Sequence, residues 1–466
     1  MAVASCRLTR SILRLLHRGG TTLPGRAALF FDRGILEVLS RDAEVIVVTG
    51  TNGKTTTCGM LRDALSAVGY DVLSNVSGAN LLTGITAEFA SNAALSGRLK
   101  KKYCVIECDE GALRHVVPLI RPRVIVVTNL FRDQLDRYGE VMHTLDAIRA
   151  GVKLVPDTTL CLNADCSLTS SLSRDVPNRV MYYGISVPSD NVDEDAPSDA
   201  RYCINCGEKY DYTFHTYAHL GGFVCPKCGY MRHTPDVDVR AITGSGMSGT
   251  GVRLAFTPEY TDSYIASGLS EDGTMDATIG LPALYNVYNG IAALSAYLAA
   301  GYSSETLLTT IANAHSTFGR METFEYNGVA MQMILVKNPA GCNQALTYIT
   351  GVGTDYTAVF CLNDKIADGH DISWIWDAEY ERLAADTHCK QIYVSGIRAT
   401  DMQLRLKYAG VPESQITLMS DNASLIDAVS KSPYPVFMLP NYTSMLALRA
   451  ELSALTGKRE FWKEQK

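Results

Sequence analysis

No apolar run in the 466-residue sequence reaches the roughly 18 residues that a membrane-spanning helix requires. The longest candidate, Gly290 to Gly301, is interrupted by Tyr297, so the chain is read as soluble. Positive charge is also short. The 42 Lys and Arg against 49 Asp and Glu give a formal net charge of -7, which speaks against broad nucleic-acid binding, a task that needs a basic face. A local basic patch is compatible with that average. Internal repeats and low-complexity tracts are missing. With 47% hydrophobic and 20% charged residues, the chain has the profile of a folded globular protein, not a disordered one. No signal peptide precedes the 13 cysteines, and an odd, scattered set of this kind favours reduced thiols in a cytosolic protein.

The length implies two or three domains. Met1 to Arg18 is basic and amphipathic, a pattern shared by transit peptides and by surface helices packed on the domain that follows. The surface-helix reading is adopted here, as an N-terminal helical segment over residues 1–44. From Glu44 the chain turns to short continuous apolar runs, at Val45 to Val48, Tyr103 to Ile106 and Val124 to Val127. Such strands are buried on both faces, as in a parallel sheet, and helical patterns such as Thr55 to Val68 lie between them. Asp190 to Asp199 reads as a loop that opens an insertion of different composition. A helical stretch follows at Ala283 to Gly301, and Phe318-Gly319-Arg320 reads as a domain end. Strands at Met331 to Val336, Ala358 to Leu362, Gln391 to Val394 and Val436 to Met438 predict a second, Rossmann-like α/β domain over 323–466.

Val45 to Thr57 reads V-I-V-V-T-G-T-N-G-K-T-T-T, a buried strand, a tight turn and a helix start. Backbone N–H groups in such a turn face phosphate oxygens, and the helix N-terminus adds positive potential. The loop residues Gly50, Thr51, Asn52, Gly53, Lys54, Thr55 and Thr56 are therefore assigned to ATP and Mg²⁺. Lys54 reaches the terminal phosphates and the Thr55 hydroxyl meets the metal. The usual P-loop glycine six residues before the lysine is replaced by Val48. Glu107, at the end of its strand, is placed to hold a second metal or its water. This shortened loop resembles that of the Mur ligase superfamily. The likeness extends through Glu107, Thr128-Asn129-Leu130, Asp133-Gln134-Leu135-Asp136, Asn286 with Asn289, and Gly319-Arg320-Met321-Glu322. It implies a central ATP-binding domain over 45–322, with Asn286 at the adenine and Arg320 at the phosphates. Gln134 stands where amino-acid-adding Mur ligases usually carry a metal-binding His.

Cys203-x2-Cys206 and Cys225-x2-Cys228 have the spacing of a closed, structural Zn²⁺ site, each pair followed by Gly. They predict a zinc-ribbon insertion over about 201–233. His215, His219 and His233 are read as neighbours of that site, not ligands.

After the strand Ala358 to Leu362 stands Asn363-Asp364-Lys365-Ile366-Ala367-Asp368-Gly369-His370-Asp371-Ile372-Ser373-Trp374-Ile375-Trp376-Asp377, at the strand end where α/β sheets build sites. Together with Lys337-Asn338-Pro339-Ala340-Gly341 and the cysteine quartet, it resembles the MurT family, the ligase-like subunits of lipid II isoglutaminyl synthase. The resemblance covers nearly the whole chain. It implies ATP-dependent amidation of the D-glutamate α-carboxylate of lipid II to D-isoglutamine through an acyl phosphate, in peptidoglycan synthesis. It also implies ammonia from a GatD-type glutaminase partner, and a bacterial cytoplasmic location with action at the membrane face. The chain itself carries no G-x-C-x-G elbow and no His-x-Glu, the marks of a class I glutaminase. The resemblance further implies an essential aspartate, assigned to Asp371, with Asp368 as the other register. Such a carboxylate would hold ammonia or take its proton. Two other readings stay open: an amino-acid-adding ligase of the folylpolyglutamate type, and a P-loop ATPase whose ribbon binds nucleic acid.

Overall fold

The computed structural model describes residues 1–458 apart from 16–21, 76–78, 133–140, 189–198, 247–248, 260–268 and 315–319, and omits the side chains of residues 245 and 320. The Asp133-Gln134-Leu135-Asp136 segment, Gly319, the Arg320 side chain and nearly all of the loop expected at Asp190 to Asp199 therefore lie outside the described residues.

The apolar runs form a parallel core as their composition dictates. Strands β1 (Glu44–Thr49), β2 (Val72–Ser74), β3 (Tyr103–Glu107), β4 (Val124–Val127), β5 (Thr159–Asn163) and β6 (Val180–Ile185) pair in parallel. A hairpin of β7 (Asp211–Tyr217) and β8 (Leu220–Val224) stands apart as its own two-stranded sheet. Then β9 (Val237–Gly246), β10 (Gly249–Phe256) and β11 (Thr274–Ile279) extend the main sheet, giving the order β11-β10-β9-β6-β5-β4-β1-β3-β2. β1 is flanked by β3 and β4, so the chain reverses direction across the sheet at β1. The loops after these three strands open on one crevice, the place where open α/β sheets bind ligands.

The helix Leu284–Ala299 is mostly apolar and buried from Asn286 to Leu298, as expected of a helix enclosed on all sides. It packs on the helix Lys54–Ala67, which buries Cys58, Met60, Leu61, Ala64 and Leu65 at helical spacing. At the N-terminus, the helices Ala2–Leu15, Thr22–Phe31 and Ile35–Ser40 lie against the same domain.

The second sheet has the order β12-β13-β17-β14-β15-β16, from β12 (Arg320–Tyr326), β13 (Val329–Ile334), β14 (Tyr356–Cys361), β15 (Cys389–Ser395), β16 (Ile416–Leu418) and β17 (Val436–Pro440). β12 is antiparallel to β13 and the remaining pairs are parallel. Residue 322, the expected end of the central domain, lies inside β12, which is an edge strand of this second sheet.

Candidate functional site

The turn after β1 is built on two left-handed glycines, Gly50 at φ 114° and Gly53 at φ 88°. A Cβ on Gly50 would stand 2.4 Å from the Thr128 hydroxyl, and one on Gly53 would stand 2.0 Å from Asn289 Oδ1. Only glycine allows both the backbone angle and the close approach. The segment after β4 holds the turn from the other side. Asn129 Oδ1 accepts from the Asn52 amide at 3.0 Å, and the Thr128 hydroxyl donates to the Asn52 carbonyl at 2.7 Å. The Thr51 hydroxyl bonds both the carbonyl and the amide of Phe131.

Lys54 opens the helix and folds back over the turn. Its Nζ donates to the Gly50 carbonyl at 2.6 Å and to Glu110 Oε1 at 2.9 Å. Burial pushes the Glu110 carboxyl up, and the Lys54 ammonium opposes that. The Thr55 hydroxyl donates to Glu107 Oε2 at 2.6 Å, and Asn80 Nδ2 donates to Glu107 Oε1 at 3.1 Å. Two oxygen donors suited to a hard cation thus meet at a helix N-terminus beside a lysine, a donor set that fits Mg²⁺ and phosphate. Asn286, expected at the adenine, is buried. Its Nδ2 donates to the Pro282 carbonyl at 2.7 Å and its Oδ1 accepts from Asn289 at 3.1 Å. Arg320 is described only as backbone in β12.

The second domain reaches this turn through one of its motifs and the segment beside it through the other. Asn338 Nδ2 donates to Asn52 Oδ1 at 3.2 Å. Asp377, the last residue of the acidic motif, lies 3.6 Å from Arg132, which follows Phe131. Within the motif the two aspartates differ. Asp368 is buried and accepts from the Thr443 amide at 2.7 Å and the Thr443 hydroxyl at 2.5 Å, so it caps the helix Tyr442–Thr456 from a distant loop. Asp371 is exposed and accepts from the Ser373 amide at 2.8 Å, and hydrogen bonds from Ser373 hold its carboxyl below the usual range.

The four cysteines converge. Their sulfurs lie within 4.8 Å of one another, with Cys203–Cys228 and Cys206–Cys225 each at 3.5 Å. A Zn–S length of about 2.3 Å puts tetrahedral sulfurs about 3.8 Å apart, so the cluster has the size for one zinc ion. The two knuckles repeat. Gly207 donates to the Cys203 carbonyl and Gly229 to the Cys225 carbonyl, both glycines at φ 73°. None of the three histidines joins the sulfurs. His215 stacks on Tyr212, His233 on Tyr182, and His219 lies buried 3.4 Å from Cys166.

Sequence reasoning passed over several residues the structure brings together. Glu110 follows Glu107 closely, and the acid pair Asp109-Glu110 before a glycine was the available signal. Asn80 and Asp165 carry no local signal. Asp165 is wholly buried, with Oδ1 accepting from Arg232 Nε at 2.6 Å and Oδ2 from the Tyr288 hydroxyl at 2.6 Å.

Residues 48–205 match the Mur ligase middle domain, and residues 335–445 match the MurT ligase C-terminal domain. The lipid II isoglutaminyl synthase (glutamine-hydrolyzing) subunit MurT of Streptococcus pneumoniae is 33% identical, over 96% of this chain and 95% of that protein. The subunit of the same name from Staphylococcus aureus is 32% identical, over 97% of each chain. Among solved structures, MurF of Acinetobacter baumannii superposes with a TM-score of 0.65 at 18% identity, over 94% of this chain and 81% of that one, which shows a shared fold. With about a third of the sequence shared over almost its full length and both domains matched, the chain belongs to the MurT family of Mur-ligase-like proteins.

Proposed function

We propose that the chain is the ligase subunit of a lipid II isoglutaminyl synthase. ATP phosphorylates the α-carboxylate of D-glutamate in the stem peptide, and ammonia displaces the phosphate to give D-isoglutamine, ADP and phosphate. The observation that carries this reading is the meeting of the two C-terminal motifs with the phosphate turn and the segment that braces it, Asn338 at Asn52 and Asp377 at Arg132. A loop that ends beside that turn supports work on a group phosphorylated there. The limits 1–44, 45–322 and 323–466 serve this reading, with β12 at the seam.

Lys54 holds the terminal phosphates, and a phosphate oxygen competes with Glu110 for its ammonium. Thr55 and Glu107 hold Mg²⁺, which neutralises phosphate charge. Gly50, Thr51, Asn52, Gly53 and Thr56 supply the turn. Asn286 shapes the adenine side through Asn289, and Arg320 serves the phosphates. Asp371 holds ammonia or takes its proton, and its exposure and retained negative charge suit that work. Asp368 is the positioning residue that pins the same loop to Thr443. One Zn²⁺ sits in the four cysteines and folds the insertion.

The relatives are named as subunits, so a partner is expected, and a GatD-type glutaminase fits a chain with no elbow cysteine of its own. Among the described residues no helix is long and apolar enough to cross a membrane. On this reading the enzyme works in the bacterial cytoplasm at the membrane face, where a lipid-linked substrate is presented. The nucleic-acid reading is disfavoured, because Tyr210, Phe223 and Tyr230 are buried in the ribbon's own core and Arg232 is bound to Asp165.

The test is amidation of lipid II by the chain with a GatD-type partner, in glutamine and in ammonium. Lys54→Ala should abolish ATP turnover and amidation with both donors while the far-ultraviolet spectrum is kept. Normal turnover in that variant removes the loop from the mechanism, and glutamine-dependent amidation by the chain alone contradicts the two-subunit reading.

A further inference from the structure

The N-terminal helices are anchored on one side and bare on the other. Gly25 stands so close to the helix Leu82–Ser91 that a Cβ there would meet the Thr83 carbonyl at 1.7 Å. Ala2, Val3 and Cys6 are buried, Arg7 donates to the Ala93 carbonyl, and Arg10 lies 3.7 Å from Glu88. The helix Ala2–Leu15 thus faces the domain with small residues and two arginines. Its opposite side carries Leu8, Ile12 and Leu15, at the i, i+4, i+7 spacing of one stripe, and these are 63%, 48% and 79% exposed. The helix Thr22–Phe31 repeats the arrangement. Pro24, Gly25 and Ala28 point inward, while Leu23 and Phe30 share the outer side with Arg26, and Phe30 is 84% exposed.

A soluble domain rarely leaves apolar stripes of this size bare without an occupant. The surrounding charge selects among occupants. Arg14, Arg26 and Arg33 are exposed around the stripes against one acid of the described part of residues 1–33, Asp32, in a chain of net charge -7, while Arg7 and Arg10 are bound to the domain. Glu37 is the next acid along. Apolar stripes bordered by arginine match an anionic bilayer, whose headgroups attract the guanidinium groups while leucine and phenylalanine enter the acyl boundary.

We propose that this face of the N-terminal helices docks the protein on an anionic phospholipid surface. The idea draws on the proposed lipid-linked substrate only for its purpose. Docking would confine the enzyme to the plane in which such a substrate diffuses.

The experiment is co-sedimentation of the full chain with vesicles of phosphatidylcholine, with and without phosphatidylglycerol, containing no lipid II. Its outcome is therefore independent of the amidation reading. An arginine near an anionic surface contributes about fivefold in partitioning, so three should favour the anionic vesicles on the order of 100-fold, and high salt should reduce this. Leu8→Glu with Phe30→Glu changes only exposed side chains. It should lower vesicle binding at least tenfold, with an unchanged far-ultraviolet spectrum and unchanged amidation of a water-soluble substrate analogue. The proposal is overturned if the parent ignores anionic vesicles, or if the double variant binds them equally well. It is equally overturned if the substitutions instead dissolve a dimer of this chain in sedimentation velocity, or if the partner subunit blocks vesicle binding.

Discussion

Replacing Arg232 with methionine removes the guanidinium from Asp165 while keeping much of the side chain's bulk. Asp165 is wholly buried, and Arg232 donates to its Oδ1 at 2.6 Å. The Ile185 amide and the Tyr288 hydroxyl remain on Oδ2. Removing one partner of a buried ion pair typically costs about 3–5 kcal/mol, because the other charge is left without compensation. The two surviving hydrogen bonds and the partial exposure of Arg232 favour the lower end, about 3 kcal/mol, which is roughly 150-fold in an opening equilibrium. The loss should be local. Arg232 closes the zinc-ribbon insertion, Tyr288 lies between Asn286 and Asn289, and the Thr216 hydroxyl of β7 also meets the Tyr288 hydroxyl at 2.8 Å. Native-state hydrogen exchange should therefore show faster opening of β7, β8 and the first turns of the helix Leu284–Ala299, with the ATP KM raised and the second sheet unchanged. The effect should depend on pH. Burial already raises the Asp165 pKa, and without Arg232 it rises further. Destabilisation then grows as pH climbs from about 3.9, the unfolded value, to the raised folded value, and it is relieved on acidification because a neutral acid needs no counter-charge. Asp165→Asn in the Arg232→Met background should recover part of the loss. If Arg232→Met changes opening of these segments by less than tenfold, or if the effect is the same at every pH, the pair is not the clamp described here.

The two motif aspartates should separate by assay. Asp371→Asn should lower amidation by about 10²–10⁴ with ATP binding and thermal stability kept, whereas Asp368→Asn should loosen the cap on Thr443 and appear first as a lower melting temperature. If Asp368→Asn is instead dead and stable, the catalytic assignment moves to Asp368. X-ray absorption on the purified protein should find one Zn²⁺ with four sulfur ligands at about 2.3 Å, and a freshly prepared, unchelated sample without metal contradicts the site. Asn338 caps the helix Pro339–Thr350 through Oδ1 and touches Asn52 through Nδ2. Asn338→Asp should keep the cap and raise the ATP KM, while Asn338→Ala should lose the cap as well, about 1 kcal/mol of stability; equal KM values in both variants and the parent would dismiss the contact.

The parts of the site that are local in sequence were readable, and the parts made by distant side chains were not. The turn from Gly50 to Lys54 announces itself because two left-handed glycines, a preceding β-branched strand and a following helix all leave composition signals. The cysteine quartet does so because two thiolates separated by two residues, followed by Gly207 or Gly229, can be aimed at one ion by a single tight turn. Nothing comparable marks Asp165. Its partners Arg232 and Tyr288 lie 67 and 123 residues away, and an aspartate after a strand is usually a solvated loop residue. The same reason kept the different surroundings of Asp368 and Asp371 out of reach of the sequence. Both belong to one polar loop, and only the fold brings Thr443 to the first of them, 75 residues along the chain. β12 was missed because Phe318-Gly319-Arg320 reads as an ending, whereas an edge strand needs only its partner β13 to form.

The ribbon belongs to the nucleotide crevice by two separate routes. One runs through Arg232, Asp165 and Tyr288 to the helix whose Asn289 abuts Gly53. The other runs through the hairpin of β7 and β8. Tyr217 stacks on Phe131 at 5.8 Å and His219 lies against the same ring at 4.7 Å, while Phe131 holds the Thr51 hydroxyl by its backbone. Both routes consist of buried contacts apart from the partly exposed Arg232, and such contacts transmit displacement because a packed interior deforms little. The second domain meets the same turn differently. Asn338 with Asn52 is a neutral hydrogen bond worth about 0.5–1.5 kcal/mol, and Arg132 with Asp377, each a little over one-third exposed, is worth about 0–1 kcal/mol. The ribbon side of the crevice therefore sets the shape of the phosphate turn through buried contacts, whereas the second domain meets that side through these weaker polar contacts, beside apolar packing of Ala283 and Tyr285 on its own core and of Ala340 on the central one.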